Sequence, residues 1–106
     1  MANNNDNMEM YTLGIWLIRT GHEKEFINEW TSFAKWMSKN MSGVGKGYLL
    51  QDEINSSRFI SFGPWESATI IQTWRESSEF KNFVKRVMPL CDDFQPNTLK
   101  LISASE

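Results

Sequence analysis

The run Tyr11-Thr-Leu-Gly-Ile-Trp-Leu-Ile18 is the most restrictive feature of this sequence. It is rich in β-branched and aromatic residues, a composition that predicts a strand. Side chains of a strand alternate between its faces, so Leu13, Ile15 and Leu17 point one way while Gly14, Trp16 and Ile18 point the other. Both sets are apolar apart from the glycine. Such a strand needs cover on each side, and in a chain of 106 residues helices can cover only one. The second cover is expected to be another copy of the chain.

The following segments supply the first cover. Thr20-Gly-His-Glu23 has the spacing of a capping box, in which the Thr20 hydroxyl accepts from a free backbone N–H and Glu23 reaches back to the cap. Phe26, Trp30, Phe33, Met37 and Met41 then recur at four- and three-residue intervals, which makes one apolar helical stripe. Residues 41–45 are expected to end that helix and Gly43 to Gly47 to form a turn. Residues 48–51 and 58–62 read as a hairpin around an exposed, turn-rich 52–57 segment. Gly63 and Pro64 should close its second strand, because proline cannot donate to a ladder. A second helical region falls in two pieces. Residues 68–75 form the first, and Phe80, Phe83, Val84, Val87 and Met88 mark one face of the second, with a break at Ser77-Ser78.

Pro89 should stop the second piece, and a loop holding Cys91, Asp92, Asp93 and Pro96 should lead to a last strand over 98–102. The order βαββαβ predicts a ferredoxin-like α+β fold, an antiparallel sheet with helices on one face. Residues 1–9, polar and Asn-rich, are expected to be a disordered tail, with a single domain over 10–106.

Composition narrows the chemistry. Hydrophobic residues at 41% and charged residues at 23% lie near the ordinary globular mix, which argues against both disorder and a membrane protein. Eleven Lys+Arg against thirteen Asp+Glu give a net charge of −2 with no basic run, so nucleic acid is not an expected partner. His22 is the sole histidine and Cys91 the sole cysteine, so neither a His/Cys metal cluster nor a Cys–His nucleophile can form. No disulfide can close within the chain. The first residues lack the basic-then-apolar pattern of a signal peptide, and the cytoplasm is the expected location. Gly43-Val-Gly-Lys-Gly47 glances at a phosphate loop but follows a helix and precedes a strand, the reverse of the required context.

Rings make up 13% of the chain, so an aromatic core or an apolar pocket is expected. Trp65, just after Gly63-Pro64 at a strand end, is placed to cover the mouth of a cleft between sheet and helix. Trp74, on the second helix, would line that cleft from the other side, with Phe33 or Trp30 facing it. Arg75, Lys85 and Arg86 are the cations expected to supply positive charge near a ligand there.

Over about residues 11–102 the chain resembles the antibiotic biosynthesis monooxygenase (ABM) domain family, within the dimeric α+β barrel group. The resemblance is carried by Arg19-Thr-Gly-His-Glu-Lys-Glu-Phe26, the Trp30 helix, Ser61-Phe-Gly-Pro-Trp-Glu-Ser67, and Trp74 with Phe80. It implies a homodimer packed through its sheet faces. It also implies a monooxygenase that uses no cofactor and oxidises a planar aromatic phenol or quinol with O₂. In that branch a Trp opening the Trp-Glu-Ser turn is implicated together with an Asn four residues before it and a Tyr six after. Here those positions hold Trp65, Ser61 and Ile71.

Trp65 is therefore the candidate catalytic residue, and Trp65, Trp74, Ser61, Ile71 and Phe33 are the candidate substrate-binding set. The haem-degrading branch is similar but is implied to use an Asn, a Trp and a His, at positions that read Gly14, Trp74 and Val84 here. Haem degradation is not expected. The alternative is a non-catalytic ligand-binding or structural dimer of the same fold.

Overall fold

Alternation along the first strand decides the architecture. The computed structural model describes residues 8–105. In it β1 (Met10–Ile18) buries Gly14, Trp16 and Ile18 under helices and leaves Leu13, Ile15 and Leu17 half-buried on the opposite face. Residues 1–7 of the expected tail lie outside the described residues. At its end the Glu9 carbonyl accepts from the Leu101 N–H at 2.7 Å.

Strand β1 pairs antiparallel with β3 (Arg58–Trp65) on one side and β4 (Cys91–Lys100) on the other, and β2 (Tyr48–Gln51) pairs with β3. The resulting order is β2-β3-β1-β4. Helix α1 (Glu23–Asn40) follows β1, while α2 (Ala68–Glu76) and α3 (Ser78–Val87) join β3 to β4. This is the ferredoxin-like α+β fold expected from the element order. The break between α2 and α3 falls at Ser77, whose hydroxyl donates to the Trp74 carbonyl at 2.6 Å and accepts from the Phe80 N–H at 3.2 Å. One side chain closes the first helix and caps the second.

Three local expectations are corrected. Thr20 does not cap α1: Gly21 turns at φ 96°, His22 stands at the cap position, and Glu23 Oε1 accepts from the Gly21 N–H at 2.8 Å. The left-handed Gly21 carries Thr20 out to solvent, and the carboxylate fastens the turn before α1 rather than a free N–H of the helix. Glu23 also accepts from the Ser57 hydroxyl at 2.6 Å, and chiefly that bond holds its carboxyl below the usual carboxylate range.

Second, β3 runs straight through Pro64 to Trp65. The Pro64 carbonyl accepts from the Gly45 N–H, on the side away from β1. Backbone N and O of one strand residue share a side, so the absent N–H is not owed to β1. Third, β4 begins at Cys91 and ends at Lys100, and Pro96 stands within it opposite Gly14. By the same alternation Pro96 occupies an outward slot of an edge strand, where no ladder bond is lost.

The core lies between sheet and helices, around Trp16, Phe26, Phe33, Phe59 and Phe83. Phe59, from β3, packs here with its ring 5.2 Å from that of Phe26. Phe26 is fully buried and also meets Trp16 at 4.9 Å. Phe26→Ala should lower the unfolding free energy by about 3–5 kcal/mol in urea titration. An effect below about 1 kcal/mol would show that this ring is not central.

Candidate functional site

A cavity of about 530 Å³ opens between the helix-covered face of the sheet and helices α1 to α3. Its size lies in the range of about 300–1,000 Å³ usual for small-molecule sites. Its walls are mostly rings and methyls: Trp16, Trp30, Phe33, Met37, Trp65, Trp74, Phe80, Phe83, Val84 and Phe94.

The expected site residues divide into those that line this cavity and one that does not. Trp65, Trp74, Ser61 and Phe33 line it, as does Trp30. Ile71 is only 2% exposed and is absent from the lining, because it faces inward from α2. Trp65 and Trp74 do not face each other across a gap. Their ring centroids are 4.8 Å apart at 45°, so they touch and form one continuous wall. Trp74 meets Phe80 at 4.4 Å and lies nearly parallel to Phe33 at 6.3 Å, while Phe33 stacks on Phe83 at 4.4 Å. Trp65 is 2% exposed, so it presents only a sliver to the cavity rather than covering a mouth.

Polar atoms are few and mostly committed. Trp65 Nε1 donates to the Thr12 hydroxyl at 3.0 Å, and Trp16 Nε1 donates to the Ser61 hydroxyl at 3.0 Å. Trp74 Nε1 is buried with no hydrogen-bond partner among the described residues. Such an orphan is uncommon, since a buried donor left unpaired costs about 1–3 kcal/mol. Arg75 lines the cavity and donates to the Thr98 hydroxyl at 2.7 Å. Lys85 and Arg86 are exposed and do not line it, and Arg86 donates to Glu29 on α1 at 2.7 Å. Among the described residues no Asp, Glu or His contributes to the lining, so neither a carboxylate nor an imidazole stands there as a general base.

Two segments of the wall were missed by sequence reasoning. Residues 43–45 do not form a free turn: Glu66 N–H donates to the Gly43 carbonyl at 2.9 Å, and Val44 bridges to Trp65. Gly43 adopts φ 80°, the left-handed region that favours glycine, and a Cβ there would also displace the tip of the Ile70 side chain. The other segment is Phe94 to Asn97, hidden because β4 was expected to start later. The signal was present in Phe94, the one ring of the presumed loop. It stacks on Trp16 at 3.9 Å.

Other chemistry is weak here. Among the described residues no group of three or more His, Cys, Asp or Glu could hold a metal ion. No helix among them is long and apolar enough to cross a membrane. Burial pushes the Cys91 thiol up to about 11, with Asp92 adding to the effect, so it is not a nucleophile near neutral pH. Its Sγ lies 3.3 Å from the Val87 carbonyl.

Fold and cleft together define a ferredoxin-like α+β domain with an aromatic-walled cavity under its helices. The family model for antibiotic biosynthesis monooxygenases matches residues 14–86, well over half the chain, and the chain belongs to that family. Among curated proteins none matches the sequence. Solved structures resemble it closely in fold. A conserved protein from Methanosarcina mazei matches with a TM-score of 0.83 at 14% identity, covering 94% of this chain and 100% of that one. SnoaB, a cofactor-independent oxygenase from Streptomyces nogalater, solved with one asparagine changed to alanine, matches with a TM-score of 0.82 at 11% identity over 91% and 95%. A Pseudomonas aeruginosa protein matches with a TM-score of 0.77 at 16% identity over 91% and 96%.

The positions implied for haem degradation are occupied by other chemistry. Val84 puts methyls on the cavity wall where an imidazole was implied. At Gly14 an added Cβ would stand 3.0 Å from Phe94 Cε1, Ser61 Oγ and Trp16 Nε1 alike. Gly14→Asn should therefore cost about 1–3 kcal/mol of stability by overpacking. Thermal or urea unfolding of that variant checks this, and unchanged stability would refute it.

Proposed function

We propose that the protein is a cofactor-independent monooxygenase acting on a planar aromatic phenol or quinol. The observation that carries this reading is the aromatic cavity itself, large, apolar on most of its walls and free of metal-ligating clusters among the described residues. A flat polycyclic ring suits walls made of Trp, Phe and Met, through stacking and edge contacts.

In an anthrone-like substrate the reacting carbon loses two hydrogens and gains one oxygen atom of O₂ as a carbonyl. The second oxygen leaves as water with those hydrogens. The substrate supplies all the electrons, so the chain needs only to hold the ring, exclude water and favour its ionised form. Trp65 positions the ring edge within the wall, and its bond to Thr12 fixes its own orientation.

A second reading has a specific observation in its favour. Ser61 Oγ is already engaged by Trp16, Ile71 is turned away from the cavity, and no carboxylate or imidazole among the described residues lines it. A site so equipped suits binding without turnover. Oxygen uptake separates the two readings. With an anthrone-like substrate, wild type should consume O₂ faster than buffer without added metal or flavin, and Trp65→Phe should cut the excess by about tenfold or more. Quenching of Trp fluorescence by the substrate without excess uptake would favour the binding reading instead.

We also propose that the protein works as a homodimer joined through the helix-free sheet face. Register brings Ile15 opposite Ile60 and Leu13 opposite Phe62 on that face, with Tyr48, Leu50 and Leu99 along its margins at 43%, 52% and 44% exposure. An apolar surface this continuous marks an interaction site. Light scattering at micromolar concentration should read about twice the 12.4 kDa protomer, and a mass of 12.4 kDa would rule the dimer out.

A further inference from the structure

We infer that the ligand of the cleft carries an anionic oxygen group on its planar ring, and that Arg75 is the residue that recognises it. This rests on the reading of the cavity as a site for a planar aromatic molecule.

The first support is the pairing of the arginines. Arg19 lies 3.7 Å from Asp92, Arg58 lies 3.1 Å from Asp52, and Arg86 lies 2.7 Å from Glu29. Arg75 is the fourth arginine of the chain, and among the described residues its side-chain partner is a neutral hydroxyl, that of Thr98 at 2.7 Å. A guanidinium has five N–H donors and no acceptor, so this half-buried side chain keeps donors to spare at the cavity wall.

Placement is the second. Ile71 and Arg75 stand four residues apart on α2, hence on one face, and the buried Ile71 anchors that face against the sheet. Thr98 lies directly opposite Thr12 in the β1–β4 register, and Thr12 accepts from Trp65 Nε1. Side chains opposite one another across a ladder are about 4.5–5.5 Å apart at Cβ. Arg75 is therefore held one cross-strand step from the Trp65 ring, where it meets the edge of a molecule lying on the Trp65–Trp74 wall.

The third is the sign of the lining. Among the described residues the charged ones that border the cavity are Lys35, Lys46 and Arg75, with no carboxylate, on a chain whose net charge is −2. Lys46 sits 5.4 Å over the Tyr48 ring and Lys35 is exposed, which leaves Arg75 as the partly buried cation. Cations without carboxylates suit an oxyanion, and the guanidinium fork can hold a carboxylate through two N–H groups or a phenolate oxygen through one.

Two probe pairs test this. The first is anthraquinone-2-carboxylate against anthraquinone-2-carboxamide, equal in shape but not in charge, with binding followed by calorimetry at low salt. The second is a hydroxyanthraquinone, whose own absorption reports whether it binds as phenol or phenolate. In wild type the carboxylate should bind about tenfold or more tighter than the carboxamide, or the bound phenol should ionise at a lower pH than the free one. The arm that responds identifies the oxyanion. The preference should shrink with added salt, collapse to within about twofold in Arg75→Gln, and return in part in Arg75→Lys.

If both rings bind but neither arm shows a charge preference, Arg75 only ties α2 to β4, and the inference falls while the aromatic-ligand reading stands. If neither ring binds, both fall. Should Arg75→Gln fail to fold, the wild-type preference and its salt dependence decide alone.

Discussion

The indole of Trp16 is the constraint on which the rest of the protein depends. It stacks on Phe94 at 3.9 Å, tilts against Phe26 at 4.9 Å, meets Phe83 edge-on at 6.3 Å and donates to Ser61. A ring of this size with a buried N–H has few acceptable positions. Once it is committed to the helix side, period-two alternation commits Ile18 with it and sends Leu13, Ile15 and Leu17 to the other face. The same placement requires Gly14 beside it, since three neighbours already crowd the space that a Cβ would take. Ser61 is drawn into the arrangement as the indole's acceptor, which removes it from the pool of groups free for chemistry.

Much of the fold was legible in the sequence, and the failures have physical causes. The apolar stripe from Phe26 to Met37 and the Ser77 break were readable because both depend on neighbours in sequence. Strand ends depend on the register with distant partners, and there the proline signal misled. Pro64 and Pro96 each sit where the backbone N points away from β1, a fact set by pairing and invisible in a single strand's composition. The Thr20 cap failed for a similar reason, since the acid it was paired with is also engaged by Ser57, 34 residues further on.

The candidate site was legible as a set of rings but not as a shape. Trp65, Trp74 and Phe33 do line one cavity, yet no sequence feature distinguishes two rings that face each other from two that touch. Ile71 was placed by its spacing from Trp65, whereas the helical phase of α2 turns it into the core. Arg75, four residues on, shares that phase but has a side chain long enough to reach the cavity and Thr98. The family match and the close structural resemblance establish the scaffold.

Pro96 has a consequence for how the molecule behaves in crowded solution. At ten residues β4 is the longest strand and lies at an open edge of the sheet, so its outward backbone groups are exposed to any passing extended chain. An edge of that length normally invites strand addition and fibre growth. The missing N–H at Pro96 falls midway along that outward row, between the donors of Phe94 and Thr98, and Asp92 and Asp93 add charge at its start. The opposite edge, β2, offers only four residues. The sheet is thus poorly suited to templating growth from either rim, although its helix-free face is broadly apolar.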